Sequence, residues 1–112
     1  MTNFFVRLFN YDAEKALAKN MCEHIIQTVS PKLMTERRRV LSAKKVSLSI
    51  ESSFEIAKAY QSANKPGAIR RAVLANNFKW ELKSSGYPDD FIDLATEALI
   101  IELGKTINPK NP

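Results

Sequence analysis

Apolar residues recur along this chain at alternating spacings of three and four, the period of helices that bury one face. Leu17, Ala18, Met21, Cys22, Ile25 and Val29 fall on one broad arc at 100° per residue. They predict a first helix with Asp12 as N-cap and an end near Val29. Ser30-Pro31 stops it and suits the start of another, with Ser30 as cap and Pro31 in the first turn. The pattern then predicts a long second helix over 31–64, or one that begins after Thr35 as cap, closed by Lys65-Pro66-Gly67. Val40, Ala43, Ser47, Ile50, Phe54 and Ala57 form its inward seam. One stretch conflicts: Val46-Ser47-Leu48-Ser49-Ile50 alternates with period two, and in isolation reads as a strand. The longer window favours helix, although serines are weak helix formers.

The third helix spans about 68–84 and carries two apolar stripes, Ile69/Val73/Trp80 and Leu74/Ala75/Phe78/Leu82. Two stripes imply a helix between other elements, with Trp80 as a core anchor and Asn76, if buried, hydrogen-bonded. Arg70 is expected on its polar strip with Asn77, Glu81 and Ser84, and Arg71 reaches water along its stem. Gly86 suits the left-handed position that ends it. The fourth helix follows Pro88, with Asp89 and Asp90 complementing its dipole. Phe91, Leu94, Ala98 and Ile101 form its stripe, widened by Ile92, Ala95, Leu99 and Leu103, and Gly104 stops it. The fold expected is all-α: a four-helix bundle-like single domain over 1–112, with one long second helix and a central third helix. Residues 1–11 form an apolar N-terminal arm and 106–112 a frayed tail.

Composition narrows the class. At 112 residues the chain fits one domain that folds without disulfides or metals. Three glycines leave too little turn punctuation for an all-β fold. A lone cysteine, Cys22, cannot form an internal disulfide. No apolar run is long enough to span a bilayer, and Asn3-Phe4-Phe5-Val6-Arg7-Leu8-Phe9 is a poor signal peptide. A cytoplasmic protein without membrane contact is expected.

Charge is distributed unevenly. The segment 31–45 holds six basic residues and one acid, which equals the net charge of +5, so the other residues balance. The fourth helix is acidic, with Asp89, Asp90, Asp93, Glu97 and Glu102 against Lys105. On a continuous second helix, Met34, Leu41 and Leu48 are spaced by seven and bordered by Arg37, Arg38, Lys44 and Lys45. Three readings compete for this face. In the first it packs within the molecule and its cations are solvated. In the second it meets an acidic protein partner or a second copy, basic helix against acidic helix across a two-fold axis. In the third Arg37, Arg38, Lys44 and Lys45, extended by Arg70 and Arg71, contact nucleic-acid phosphates. The third lacks interleaved aromatics for base stacking.

Catalytic chemistry finds little support. His24 is the only histidine and borders the apolar arc of the first helix, where a structural role is the simpler reading. Cys22 and His24 project about 200° apart and cannot pair within one helix. The pairs Glu51/Glu55, Asp89/Asp93 and Asp93/Glu97 lack the Glu-x-x-His motif of diiron bundles. No phosphate loop, nucleophile elbow or metal-ligand spacing occurs. The reading is therefore a non-enzymatic interaction or assembly module, a homodimer without metal or cofactor. Its contact residues are Met34, Leu41 and Leu48, joined by Phe4 and Phe5. The alternative is a small basic nucleic-acid-binding protein.

Overall fold

The computed structural model describes residues 10–105, so the expectations for Phe4, Phe5, the rest of the arm before Asn10, and the tail lie outside the described residues. The described residues are all-α: α1 (Asp12–Thr28), α2 (Pro31–Glu36), a 3-10 turn (Arg38–Val40), α3 (Ala43–Asn64), α4 (Ala68–Ser85) and α5 (Asp89–Lys105). α1 packs on both α3 and α4, α4 also packs on α5, and a looser α3–α5 contact completes the ring. The molecule is 19 Å across its thinnest axis, about two helix diameters.

Each helix end has a local cause. Tyr11, not Asp12, takes the N-cap position of α1 and makes no side-chain cap bond. Instead Asn10 Oδ1 accepts from Asp12 N–H at 2.9 Å, so the turn is closed one step earlier. Ser30 caps α2 with Pro31 in its first turn, as the sequence implies. Lys65, left-handed at φ 46°, ends α3. Gly86, at φ 97°, ends α4, and its N–H and that of Tyr87 return to the last turn. α5 runs through Gly104 to Lys105 rather than stopping at the glycine.

The long second helix is broken. Arg37 leaves helical geometry, Leu41 is extended at ψ 118°, and Ser42 at ψ 148° caps a new helix by accepting from Lys45 N–H at 3.1 Å. A serine between Leu41 and Ala43 competes better as a cap than as an interior residue. The segment Val46–Ile50 is helical, so the longer window decided that conflict.

Met21, Ile25, Leu74, Phe78, Leu82, Phe91 and Leu99 dominate the core, with Phe54 edge-on to Phe78 at 6.4 Å. Several expected core positions are not there: of the seam predicted for the second helix, Val40 is 69% exposed and Ala43 and Ser47 are exposed, and the outer stripe of α4 is largely exposed as well. Trp80 is 52% exposed, and Ile69 is exposed with it. α4 is flanked by α1 and α5 through its other stripe, and Ile69, Val73 and Trp80 face outward. On α5 the buried set is Phe91, Ile92, Ala95, Leu99 and Leu103, which rotates the inward face away from Leu94 and Ile101.

Candidate functional site

The break before Ser42 takes Met34 and Leu41 out of line with Leu48, and Phe4 and Phe5 lie outside the described residues. Met34 turns inward and is 1% exposed, so it belongs to the core and is not available to a partner. Leu41 is half-buried against that core, and Leu48 alone projects outward from α3. Spacing by seven aligns side chains only along an uninterrupted helix. Here an extended Leu41 and a fresh N-cap intervene.

The basic residues divide into three settings. Residues 37–42 form an exposed hook between α2 and α3. Arg38 there donates two bonds to the Asp90 carboxylate, at 3.2 and 3.0 Å, and ties the hook to the first turn of α5. That bond holds the Asp90 carboxyl below its ordinary range. Lys32, Arg37, Arg39, Lys44 and Lys45 are exposed and have no ion-pair partner among the described residues. Arg70 and Arg71 stand apart, at the N-terminal end of α4, whereas the hook is held at the start of α5. A helix of 18 residues, about 27 Å, separates the two groups. They do not join into one basic groove.

Arg70 does not lie on a solvated strip. It bonds Glu14 Oε1 at 3.1 Å and the Asn10 carbonyl at 2.9 Å, and its guanidinium lies 5.1 Å from the centre of the Tyr11 ring. Glu14 is 1% exposed and also accepts from the Tyr60 hydroxyl. Burial, with the Glu14 bond, pushes the Tyr60 phenol well above its usual pKa. Arg71 donates to the Pro66 carbonyl at 2.9 Å and steadies the entrance to α4. Sequence reasoning missed Glu14, although it lies in phase with Ala18, Met21 and Ile25. An acid on a buried arc signals a charged partner from another element.

His24 Nε2 lies 2.7 Å from Ser52 Oγ, a pairing between α1 and α3 that no motif announced. Neither residue lines the grooves described below. Cys22 packs in the core, where burial raises its thiol pKa. No group of three His, Cys, Asp or Glu side chains among the described residues is placed to hold a metal. No helix among them is long and apolar enough to cross a membrane.

Two grooves flank α5. The larger, between α4 and α5, encloses about 670 Å³ beside the small side chains of Ala68, Ala72 and Ala75. Thr96 lines it, and its hydroxyl is buried without a partner. The second, about 300 Å³, opens between α3 and α5. Ile50 and Phe54 form its floor, and Leu94 and Ile101 stand on its α5 side 57% and 56% exposed. Glu51, Glu102 and Lys105 rim it. Comparison of the chain with protein-family models, with curated proteins and with solved structures finds no match.

Proposed function

We propose that this protein is a non-enzymatic helical interaction module that docks a second copy of itself along the α3–α5 seam. The carrying observation is the exposure of Leu94 and Ile101 above Ile50 and Phe54. Leu94, Ala98 and Ile101 follow spacings of four and three on one flank of α5, the seam a helix presents to a partner helix. Single exposed leucines are ordinary, but here two large apolar residues adjoin a groove with an apolar floor.

Charge supports a self-complementary pairing. Arg37 and Arg39 of the hook and Lys44 and Lys45 in the first turn of α3 have no ion-pair partners among the described residues, and α5 holds Asp93 and Glu97 in the same condition. Across a two-fold axis the hook of each copy can face α5 of the other. Light scattering with size exclusion tests this. The expected result is a dimer that becomes a folded monomer with Leu94→Glu and Ile101→Glu together. A wild-type monomer at all concentrations, or an unchanged dimer in the double variant, overturns it.

One observation favours the alternative, a nucleic-acid partner: five exposed cations without an ion-pair partner among the described residues lie close in sequence around the hook. The separation of Arg70 and Arg71 from it weighs against a continuous phosphate track. Anisotropy of labelled duplex DNA and single-stranded RNA at two salt concentrations decides between them. Tight binding that weakens steeply with salt promotes the alternative, and no binding at low salt removes it.

A further inference from the structure

The groove between α4 and α5 lies on a flank of α5 that the α3–α5 seam does not use. Ile100 lines it, 55% exposed and about 100° round the helix from Ile101. The short connection at Gly86–Pro88 sets α4 and α5 antiparallel, so positions equally far from it stand level. Lys79 and Thr96 are level at the end nearer the connection, and Arg71 and Leu103 are level at the other. The floor is apolar, with Ala75 and Leu103 buried beneath the exposed Ala72. Its volume of about 670 Å³ lies within the range of small-molecule sites, which are mostly apolar with a few placed polar groups.

Charge decides the class of occupant. Arg71 and Lys79 both line the groove, and no Asp or Glu is among the described residues that do. Neither cation has an ion-pair partner among the described residues. Arg71 gives one N–H to the Pro66 carbonyl and keeps its other donors. At the opposite end Asn76 and Lys79, one turn apart, stand level with Thr96, the only polar side chain of the α5 wall. The Thr96 hydroxyl is buried without a partner, an uncommon condition that an acceptor in the groove relieves. Three polar groups therefore converge at one end, and an apolar trough leads away from them. From Lys79 back to Ala68 the trough runs about 16 Å along α4.

We infer that this groove binds a single-chain aliphatic carboxylate, its head at Lys79, Asn76 and Thr96 and its chain laid along Ala72 and Ala75 toward Leu103. A carboxylate neutralises the lysine and accepts from the threonine hydroxyl, and its two oxygens leave room for the asparagine amide as well. The alkyl chain covers alanine, leucine and Ile100 surface in a trough one chain wide. An organic cation of the same shape meets two like charges and no acid. The site is separate from the α3–α5 seam and does not rest on self-association.

Isothermal titration calorimetry of the full-length chain tests this with two probes, decanoate and decyltrimethylammonium, which carry opposite charges on chains of similar length. The expected result is saturable binding of decanoate at one site per chain and none of the cation. Lys79→Gln is expected to weaken decanoate about tenfold. Ala72→Phe fills the groove from an exposed position and is expected to abolish binding. Far-UV circular dichroism checks that each variant folds as the wild type does. Absence of saturable decanoate binding, equal binding of the cation, or an unchanged affinity in either folded variant overturns the inference.

Discussion

A carboxylate buried as deeply as Glu14 is costly unless several donors compensate it. Arg70 and Tyr60, from α4 and α3, supply them, so one side chain of α1 holds three helices together. Glu14→Gln removes the charge and keeps the shape. It is expected to cost about 1–3 kcal/mol, read as a lowered urea midpoint, and an unchanged midpoint would show that the cluster adds no stability. The buried Tyr87 phenol and the partly buried Tyr60 phenol give a pH signature. Burial raises the Tyr60 and Tyr87 pKa values above the ordinary 10.0, Tyr87 while donating to the Val29 carbonyl at 2.6 Å. The folded state then holds these protons more tightly than the unfolded chain. Their contribution is fully present below about pH 10 and is lost as the pH rises through the folded values. Thermal midpoints measured across the alkaline range should fall together with the appearance of tyrosinate absorbance. Glu14 was legible in the sequence as an acid in phase with an apolar arc. Its partners were not, because Tyr60 and Arg70 lie 46 and 56 residues away.

Among the elements, the hook between α2 and α3 decides where the basic residues point. Ser42 starts α3 by capping it, and Ser42→Ala is expected to cost about 1 kcal/mol and to fray Ala43–Val46, seen as faster amide exchange there. The Arg38–Asp90 pair fixes the hook rather than the bundle, because both side chains are largely solvated. Arg38→Ala should speed amide exchange over 37–42 and leave the denaturation midpoint nearly unmoved. Acid has the same effect by a definite route. The Arg38 bond lowers the Asp90 pKa from its ordinary 3.8, so the tether holds above that value and is lost as the pH falls through the lower folded one. The four long helices were readable from periodicity, and Ser30, Lys65-Pro66-Gly67 and Gly86 marked boundaries correctly, whereas Asp12 and Gly104 did not. The break at 37–42 was not, because Val40, Ala43, Ser47, Ile50 and Phe54 keep helical phase through it. Capping by Ser42 outweighed a pattern that a continuous helix would also satisfy.

At the scale of the molecule, α1 and α4 make the most extensive contact, and Phe78 is fully buried within it. Phe78→Ala is expected to cost about 3–5 kcal/mol and to lower the near-UV and far-UV transitions together, as in a single cooperative unit. Separate transitions would show that α5 unfolds apart from the rest. The sequence by itself determined an all-α domain, most of its core and the concentration of charge in 31–45, because helical period and composition are local properties of the chain. Only the tertiary structure decided which apolar stripe of α4 and α5 faces inward. Ile69, Val73 and Trp80 are as apolar as Leu74, Phe78 and Leu82, and only the positions of α1 and α5 distinguish them. The same holds for Met34, Leu41 and Leu48, whose alignment depends on an unbroken axis. A face belongs to a helix, but its burial belongs to the neighbours that the rest of the chain places against it.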